Sequence, residues 1–265
     1  MENFAEIYNW LLIIMSVAGL AVFIALFYID AGYGILYNRK WGAAISNKPG
    51  WFIMEVPVFI AMTTLWALSG RSFEAIPLIF LIIFQTHYIQ RAFIFPFLLV
   101  GSSKMPVSIV AMGFTFNLIN SVMQGGWIFY LSPEGYYGEG LSWLSTPQFI
   151  AGTALFLCGL TINLHSDYLI REVRRKNQKP GNAEKKHFLP EKGLFRYVTS
   201  ANYFGEIVEW TGLAILTWSL PGAIFAWWTF ANLVPRAAST YKKYRAEYGP
   251  VIQEKKLKRV FPFIY

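Results

Sequence analysis

Apolar residues fall in long runs separated by short polar connections. Ile7 to Ile29 is the cleanest run, followed by Trp51 to Leu68, Ala75 to Val100, Pro106 to Leu131 and Pro147 to Leu164. A helix that spans a bilayer needs about 20 predominantly apolar residues. Near the C-terminus, Tyr203 to Trp218 and Gly222 to Val234 are separated only by Ser219, Leu220 and Pro221. They read as two spans joined by a tight turn. The pattern predicts an all-α integral membrane bundle of seven transmembrane helices. The first run lacks a basic leader and a small-residue cleavage site, so it reads as a span rather than a cleaved signal peptide. No internal repeat or low-complexity tract divides the chain, and residues 1–265 read as a single membrane domain.

Charge sets the orientation. Segment 38–48 carries Arg39, Lys40 and Lys48, whereas segment 69–74 sets Arg71 against Glu74. Lys104 follows the third run, and Glu134 and Glu139 make segment 132–146 negative. Segment 167–201 has nine basic and four acidic residues, and the tail from Arg236 has eight and two. Positive connections alternate with neutral or negative ones. This alternation predicts the N-terminus outside and the C-terminus in the cytosol. The same rule accounts for the net charge of +8. A nucleic-acid footprint would need a basic face on a soluble platform. Charged residues are only 14% of the chain, against about 25% in soluble domains, so no such platform is expected. The one cysteine, Cys158, lies inside an apolar run and reads as a small packing residue.

Polar groups at membrane depth are costly and tend to be functional. Asn163, His165 and Asp167 close one apolar run, while Asn202, Glu206 and Glu209 open the next. Two such clusters joined by a basic connection read as the walls of a polar pocket. Glu55 lies in WFIMEVP, two residues before Pro57. A carboxyl in such a setting reads either as a carboxylate near the interface, satisfied by water, or as a buried acid held neutral by the cost of charging it. A neutral acid can donate a hydrogen bond to a carbonyl oxygen. The third run contains FQTHYIQRAF, in which His87 and Arg91 are spaced i, i+4 and Tyr88 and Arg91 i, i+3, so they share a face. That face must look into protein or water. No His/Cys spacing or HExxH pattern supports a metal, and none is expected.

Nucleotide signatures are absent from the sequence. Gly-Tyr-Gly at 32–34 lacks the third glycine and the preceding strand of a dinucleotide fingerprint. A nucleotide would therefore have to meet side chains at the cytosolic ends of helices. Arg171, Arg174, Arg175, Lys176, Arg236, Lys242 and Lys243 are the available cations for phosphate. Arg236 stands out because it follows Val234-Pro235 at the expected end of the last span.

Three segments carry a resemblance: INLHSDYLIREVRR at 162–175, the stretch from GLFRYVTSANYFGEIVEW onward at 193–226, and VFPFIY at 260–265. They resemble the steroid 5α-reductases, the 3-oxo-5α-steroid 4-dehydrogenases. AGYG at 31–34, WFIMEVP at 51–57 and HYIQRAF at 87–93 extend the likeness upstream, although it is densest over 160–265. The chain departs from the animal pattern at Met54, Thr199-Ser200, His187-Phe188 and Ala238-Ser239-Thr240.

The resemblance implies a seven-helix membrane enzyme that binds NADPH and reduces the Δ4 double bond of a 3-oxo-Δ4-steroid entering from the bilayer. By motif, Glu55 and Tyr88 would hold the 3-oxo group. Asn163, His165, Asp167, Arg174, Asn202, Glu206, Arg236 and Tyr244 would line the cofactor site, joined by Tyr33 and Arg91. Reducing a conjugated C=C needs hydride at the β-carbon and donors at the developing enolate oxygen. In this chemistry nicotinamide supplies the hydride. Rival readings are an enoyl-thioester (trans-2-enoyl-CoA) or sterol reductase of the same superfamily, a membrane methyltransferase, and a transporter. A transporter would show inverted repeats. The expected setting is a bacterial inner membrane or the endoplasmic reticulum. Partners beyond membrane lipids and the steroid are not called for, and a monomer is compatible with the sequence.

Overall fold

The computed structural model describes residues 2–177 and 187–265. Lys179, Glu184, Lys185 and Lys186, counted among the charges of the 167–201 connection, lie outside the described residues. Helix α1 spans Glu2–Ala25 and α2 spans Asn47–Leu68. Helix α3, Ala75–Tyr88, passes through a π turn at Ile89–Ile94 into the short α4, Phe95–Leu98. Helix α5, Val107–Gly126, also ends in a π turn, Trp127–Leu131. Helices α6, Pro147–Asn177, α7, Ala201–Thr217, and α8, Leu220–Glu254, complete the bundle. The all-α expectation has one small exception. Strands β1, Ala44–Ser46, and β2, Lys104–Pro106, pair antiparallel with Ile45 opposite Met105 and tie together the entries to α2 and α5.

Five of the helical segments are long and apolar enough to cross a membrane: Asn3–Ala25, Asn47–Leu68, Ala75–Leu98, Val107–Leu131 and Pro147–Asn177. The chain is a multi-pass membrane protein. The first helix leaves Ile7, Ile13, Val17 and Ile24 exposed, which in water would be an aggregation hazard and in lipid is the wanted surface. Its other side lies along α8, where Trp228 Nε1 donates to the Met15 carbonyl at 2.7 Å. Of the two remaining helices that the sequence counts as spans, α7 has 17 residues, and α8 joins an apolar first half to a basic second half.

Helices α6 and α7 run antiparallel with their backbones in contact. A Cβ added to Gly152 would sit 2.3 Å from Leu216 N, one on Gly159 2.2 Å from Glu209 N, one on Gly205 2.5 Å from Asn163 N and one on Gly212 2.3 Å from Phe156 N. Lipid offers no hydrophobic drive between helices, so close approach through small residues is how such helices attract. The glycine seam brings Asn163 and Asp167 of α6 alongside Asn202, Glu206 and Glu209 of α7. At the other end of α7, side chains from the 132–146 connection satisfy its last carbonyls, which have no partner within the helix. Trp143 Nε1 donates to Leu216 O at 2.9 Å, Tyr137 Oη to Thr217 O at 3.0 Å and Tyr136 Oη to Trp218 O at 2.6 Å.

Two helix ends differ from the sequence reading. The apolar run that closes at Leu164 does not end its helix: α6 continues to Asn177, so Asp167, Arg171 and Arg174 are helical. Nor does α8 end at Val234. Pro235 lies inside it, and Arg236 is a mid-helix residue rather than a terminal one. An interior proline costs about 3 kcal/mol in an isolated helix. Here Leu233, Val234 and Ala237 are buried against Ile207 and Val260, and packing on both sides of the proline outweighs the loss.

Candidate active site

Glu55 and Tyr88 form the deeper part of the site. Both are buried, and Glu55 is near enough to act electrostatically on the Tyr88 phenol. Both are met by α5. Asn117 Nδ2 donates to Glu55 Oε2 at 3.1 Å and to the Met54 carbonyl at 2.7 Å, while Asn120, one turn on, lies alongside the Tyr88 hydroxyl. The Asn120 side-chain nitrogen has no hydrogen-bond partner among the described residues. The Tyr88 ring packs on Phe84 at 4.8 Å and Trp210 at 5.8 Å between centroids.

Arg91 sits one turn beyond, in the π turn. The Phe95 N–H reaches back five residues to the Gln90 carbonyl, and this wide turn carries Arg91 toward α6 and α7. Such turns occur mostly as single insertions, often at functional sites. Arg91 Nη1 is 3.1 Å from Asp167 Oδ2 and Nη2 is 2.9 Å from Glu206 Oε1. Its guanidinium lies 4.6 Å from the Trp51 ring and 4.4 Å from the Phe95 ring. Asn163 Nδ2 donates to the same Glu206 Oε1 at 3.2 Å and to the Asn202 carbonyl at 3.1 Å.

Arg236 is buried too, but no carboxylate among the described residues pairs with it. Nη1 donates to Asn232 Oδ1 at 3.2 Å and Nη2 to Tyr203 Oη at 3.0 Å, and the Tyr33 ring lies 4.2 Å away. Burial pushes the Tyr33 phenol up to about 12, with Arg236 pulling the other way. The phenol therefore stays a neutral donor at ordinary pH. Arg236 Nε has no partner among the described residues, nor do the buried Asn163 Oδ1, Ser200 Oγ and Thr240 Oγ1.

A family model for 3-oxo-5-alpha-steroid 4-dehydrogenase matches residues 103–265. The chain is 34% identical to 3-oxo-5-alpha-steroid 4-dehydrogenase 1 of Bos taurus over 250 residues, covering 93% of this chain and 92% of the relative. It is 35% identical to steroid 5-alpha-reductase DET2 of Gossypium hirsutum over 280 aligned residues, covering 100% of both, and 35% identical to the Homo sapiens dehydrogenase 1, covering 83% of this chain and 81% of the relative. The chain belongs to the 3-oxo-5-alpha-steroid 4-dehydrogenase family. It is thus an oxidoreductase of a membrane-embedded steroid-reductase family.

The expected site residues divide into three groups in space. Glu55 and Tyr88 meet at α5, whereas Tyr33, Arg91, Asn163, Asp167, Asn202, Glu206 and Arg236 gather around the α6–α7 seam. Arg174 and Tyr244 lie beyond, toward the basic end. Arg174 Nη2 is 3.1 Å from His187 Nδ1, and Tyr244 Oη donates to the Phe188 carbonyl at 3.2 Å. His165 stands apart: it is exposed, over Gly193, where an added Cβ would come within 2.8 Å of its ring. Among the described residues no cluster of three or more His, Cys, Asp or Glu could hold a metal. The sequence reading did not single out Asn117, Asn120, Trp51 or Tyr203. For the two asparagines a signal exists: Asn117, Asn120 and Gln124 recur at three- and four-residue spacing on one face of an apolar helix.

Proposed function

We propose that this protein reduces the Δ4 double bond of a 3-oxo-Δ4-steroid, with NADPH as reductant, to the 5α-reduced ketone. The observation that carries the reading is that α5 reaches both buried groups, Asn117 at Glu55 and Asn120 beside Tyr88, in a chain similar along nearly its whole length to steroid 5-alpha-reductases. Glu55, carrying a proton, and the Tyr88 hydroxyl donate to the 3-oxo oxygen. Donors placed in advance at an oxygen that gains charge act most strongly where water is excluded. Asn117 occupies Glu55 Oε2 and leaves Oε1 for the ketone.

The residues around the seam fit a dinucleotide cofactor. A buried guanidinium with an unspent Nε suits a phosphate. Asn163 Oδ1, Ser200 Oγ and Thr240 Oγ1 are further unspent atoms, and leaving a buried polar group unpaired costs about 1–3 kcal/mol. Asn163, Asp167, Asn202, Glu206, Arg236 and Tyr33 would hold the group, with Arg174 and Tyr244 at its outer end. Arg91, already bound by two carboxylates, would fix the wall instead of meeting phosphate. His165, on the exposed side of α6, would take part only through the backbone of its helix. NADPH, when bound, would supply the hydride for the steroid β-carbon, and the enolate so formed would take up a proton at the α-carbon to give the saturated ketone. The chain orients the enone, polarises it and excludes water. The steroid enters from the bilayer. All residues work as one domain of seven spans, α7 and the apolar half of α8 included, with the N-terminus outside.

The test is turnover. Purified protein given NADPH and a 4-ene-3-ketosteroid is expected to yield the 5α-reduced ketone by mass spectrometry. No steroid product, with reduction of an enoyl thioester or a sterol instead, would move the acceptor assignment to the wider superfamily.

A further inference from the structure

Helix α3 ends in His87-Tyr88, and α7 presents Glu209-Trp210 to it. His87 Nδ1 is 2.8 Å from Glu209 Oε1, with the side chains only 5% and 0% exposed. The imidazole also lies 4.5 Å from the Trp210 ring and 5.1 Å, edge-on, from Tyr88. Trp210 is itself anchored by Phe225 at 4.5 Å and Phe156 at 6.2 Å. His87, Glu209 and Trp210 have no place in the chemistry above. Glu209 Oε2 has no hydrogen-bond partner among the described residues, so His87 is the only one that Glu209 has there. A buried pair of this kind is weak evidence for stability, because desolvating both groups consumes much of the attraction. Its value must be sought in geometry.

We propose that His87, held by Glu209, is a positioning residue for the Tyr88 phenol. The frame is the glycine seam: the Glu209 backbone sits where a Cβ on Gly159 would be, so this carboxylate cannot drift relative to α6. His87 takes its position from that carboxylate. Tyr88 takes its position from His87 on one side and Trp210 on the other. A second bond, Arg91 to Glu206, ties α7 to the π turn that follows α3, one turn away. Together they set the Tyr88 hydroxyl relative to the residues proposed to hold the nucleotide. The inference rests on Tyr88 being a donor to the enone oxygen.

Five variants of the full chain test it: Tyr88→Phe, His87→Phe, His87→Gln, Glu209→Gln, and His87→Phe with Tyr88→Phe. Steroid kcat and KM are read beside NADPH affinity. Misplacing a reacting group by 1 Å can cost about a hundredfold, so His87→Phe and Glu209→Gln are each expected to lower kcat by about ten- to a hundredfold with NADPH affinity unchanged. The double variant is expected to turn over no more slowly than Tyr88→Phe alone, since no hydroxyl remains to be placed. His87→Gln, whose amide can still meet Glu209, is expected to recover part of the loss. His87→Phe leaves a buried carboxylate unpaired and endangers folding; Glu209→Gln keeps the shape and is read in the same way. Wild-type kcat in both single variants, losses that multiply fully in the double, or loss of NADPH binding would each overturn the proposal. If Tyr88→Phe itself keeps wild-type turnover, the acceptor reading fails and the positioning role falls with it. A slow Tyr88→Phe beside unaffected His87 and Glu209 variants would remove only the positioning role.

Discussion

Two buried arginines differ in how much of their hydrogen-bonding capacity is spent, and that difference assigns them different work. Arg91 is met by Asp167, Glu206 and two aromatic rings, so its charge is neutralised within the protein. Arg236 has an amide oxygen, a phenol and ring faces, but no carboxylate among the described residues. Arg236→Ala is therefore expected to weaken NADPH binding by about tenfold to over a hundredfold, the equivalent of one charge-assisted contact of about 1.5–3 kcal/mol. Fluorescence titration of the purified variant checks it, and an unchanged affinity in a folded protein would move the phosphate elsewhere. Glu55→Gln and Tyr88→Phe are expected to do the reverse. Each should lose about 10²–10³ in turnover, the usual consequence of removing one oxyanion donor, and keep NADPH binding. Because both act on one oxygen, their losses should not multiply. Glu55, Tyr88 and Arg91 could be singled out in the sequence as candidates because a charge or polar cluster inside an apolar run is conspicuous. Trp51 and Tyr203 could not. With aromatics at 18% of the chain, a ring that faces an arginine looks like one that faces lipid.

The helices were legible as apolar runs, but their ends were not. An apolar run marks where lipid begins and ends, whereas a helix stops where its backbone loses partners. These boundaries separate at α6, which extends past Leu164 to Asn177, and at α8, which passes through Pro235 to Glu254. The pairing of α6 with α7 was equally hidden, since it is written in four glycines whose spacing matters only once the antiparallel register is known. It is also the contact on which the site depends most. Gly159→Ala is expected to destabilise the protein by about 1–3 kcal/mol, as overpacking does, and to weaken NADPH binding by spreading Asn163 and Asp167 from Glu206. Gly70→Ala, where an added Cβ meets open space, is the control and should leave both properties intact. Thermal unfolding and cofactor titration of the two variants decide it, and equal behaviour would mean that the seam is not a tight contact. The start of α7 has a second support in the 258–265 segment. Thr199 N donates to the Lys258 carbonyl and Ser200 N to the Arg259 carbonyl, while the Arg259, Val260 and Phe261 N–H groups converge on the Tyr265 carbonyl. Deleting 262–265 should therefore loosen α7 at Asn202 and lower NADPH affinity without touching any proposed cofactor contact. Unaltered affinity in the truncated protein would show that α7 holds its own N-terminus.

At the scale of the whole bundle, the two ends differ in chemistry, and contacts between distant segments say which belong together. Near the start of α1, Tyr8 Oη donates to the Met123 carbonyl at 2.6 Å, close to where α5 runs out toward the acidic 132–146 connection. That connection also caps the α7–α8 turn, since Tyr136 Oη reaches the Trp218 carbonyl. The N-terminus, the acidic connection and the α7–α8 turn therefore share one end. The C-terminal segment pairs instead with Val198 and Thr199, at the close of the basic 167–201 connection. On the proposed topology, termini at opposite ends imply an odd number of crossings, with the basic end assigned to the cytosol by the positive-inside rule. These contacts support seven spans even though α7, at 17 residues, is short for a lipid-facing helix. Its glycine face meets α6 rather than lipid, and the aromatic connection covers its outer carbonyls, so it can be shorter than a lone helix must be. Reporter fusions provide the test. Fusions after Lys104 and at Tyr265 are expected to report cytosol, and one after Gly138 the opposite side. A cytosolic signal at Gly138 would reverse the orientation, and signals at Gly138 and Tyr265 from the same side would make the number of crossings between them even and remove either α7 or α8 as a span.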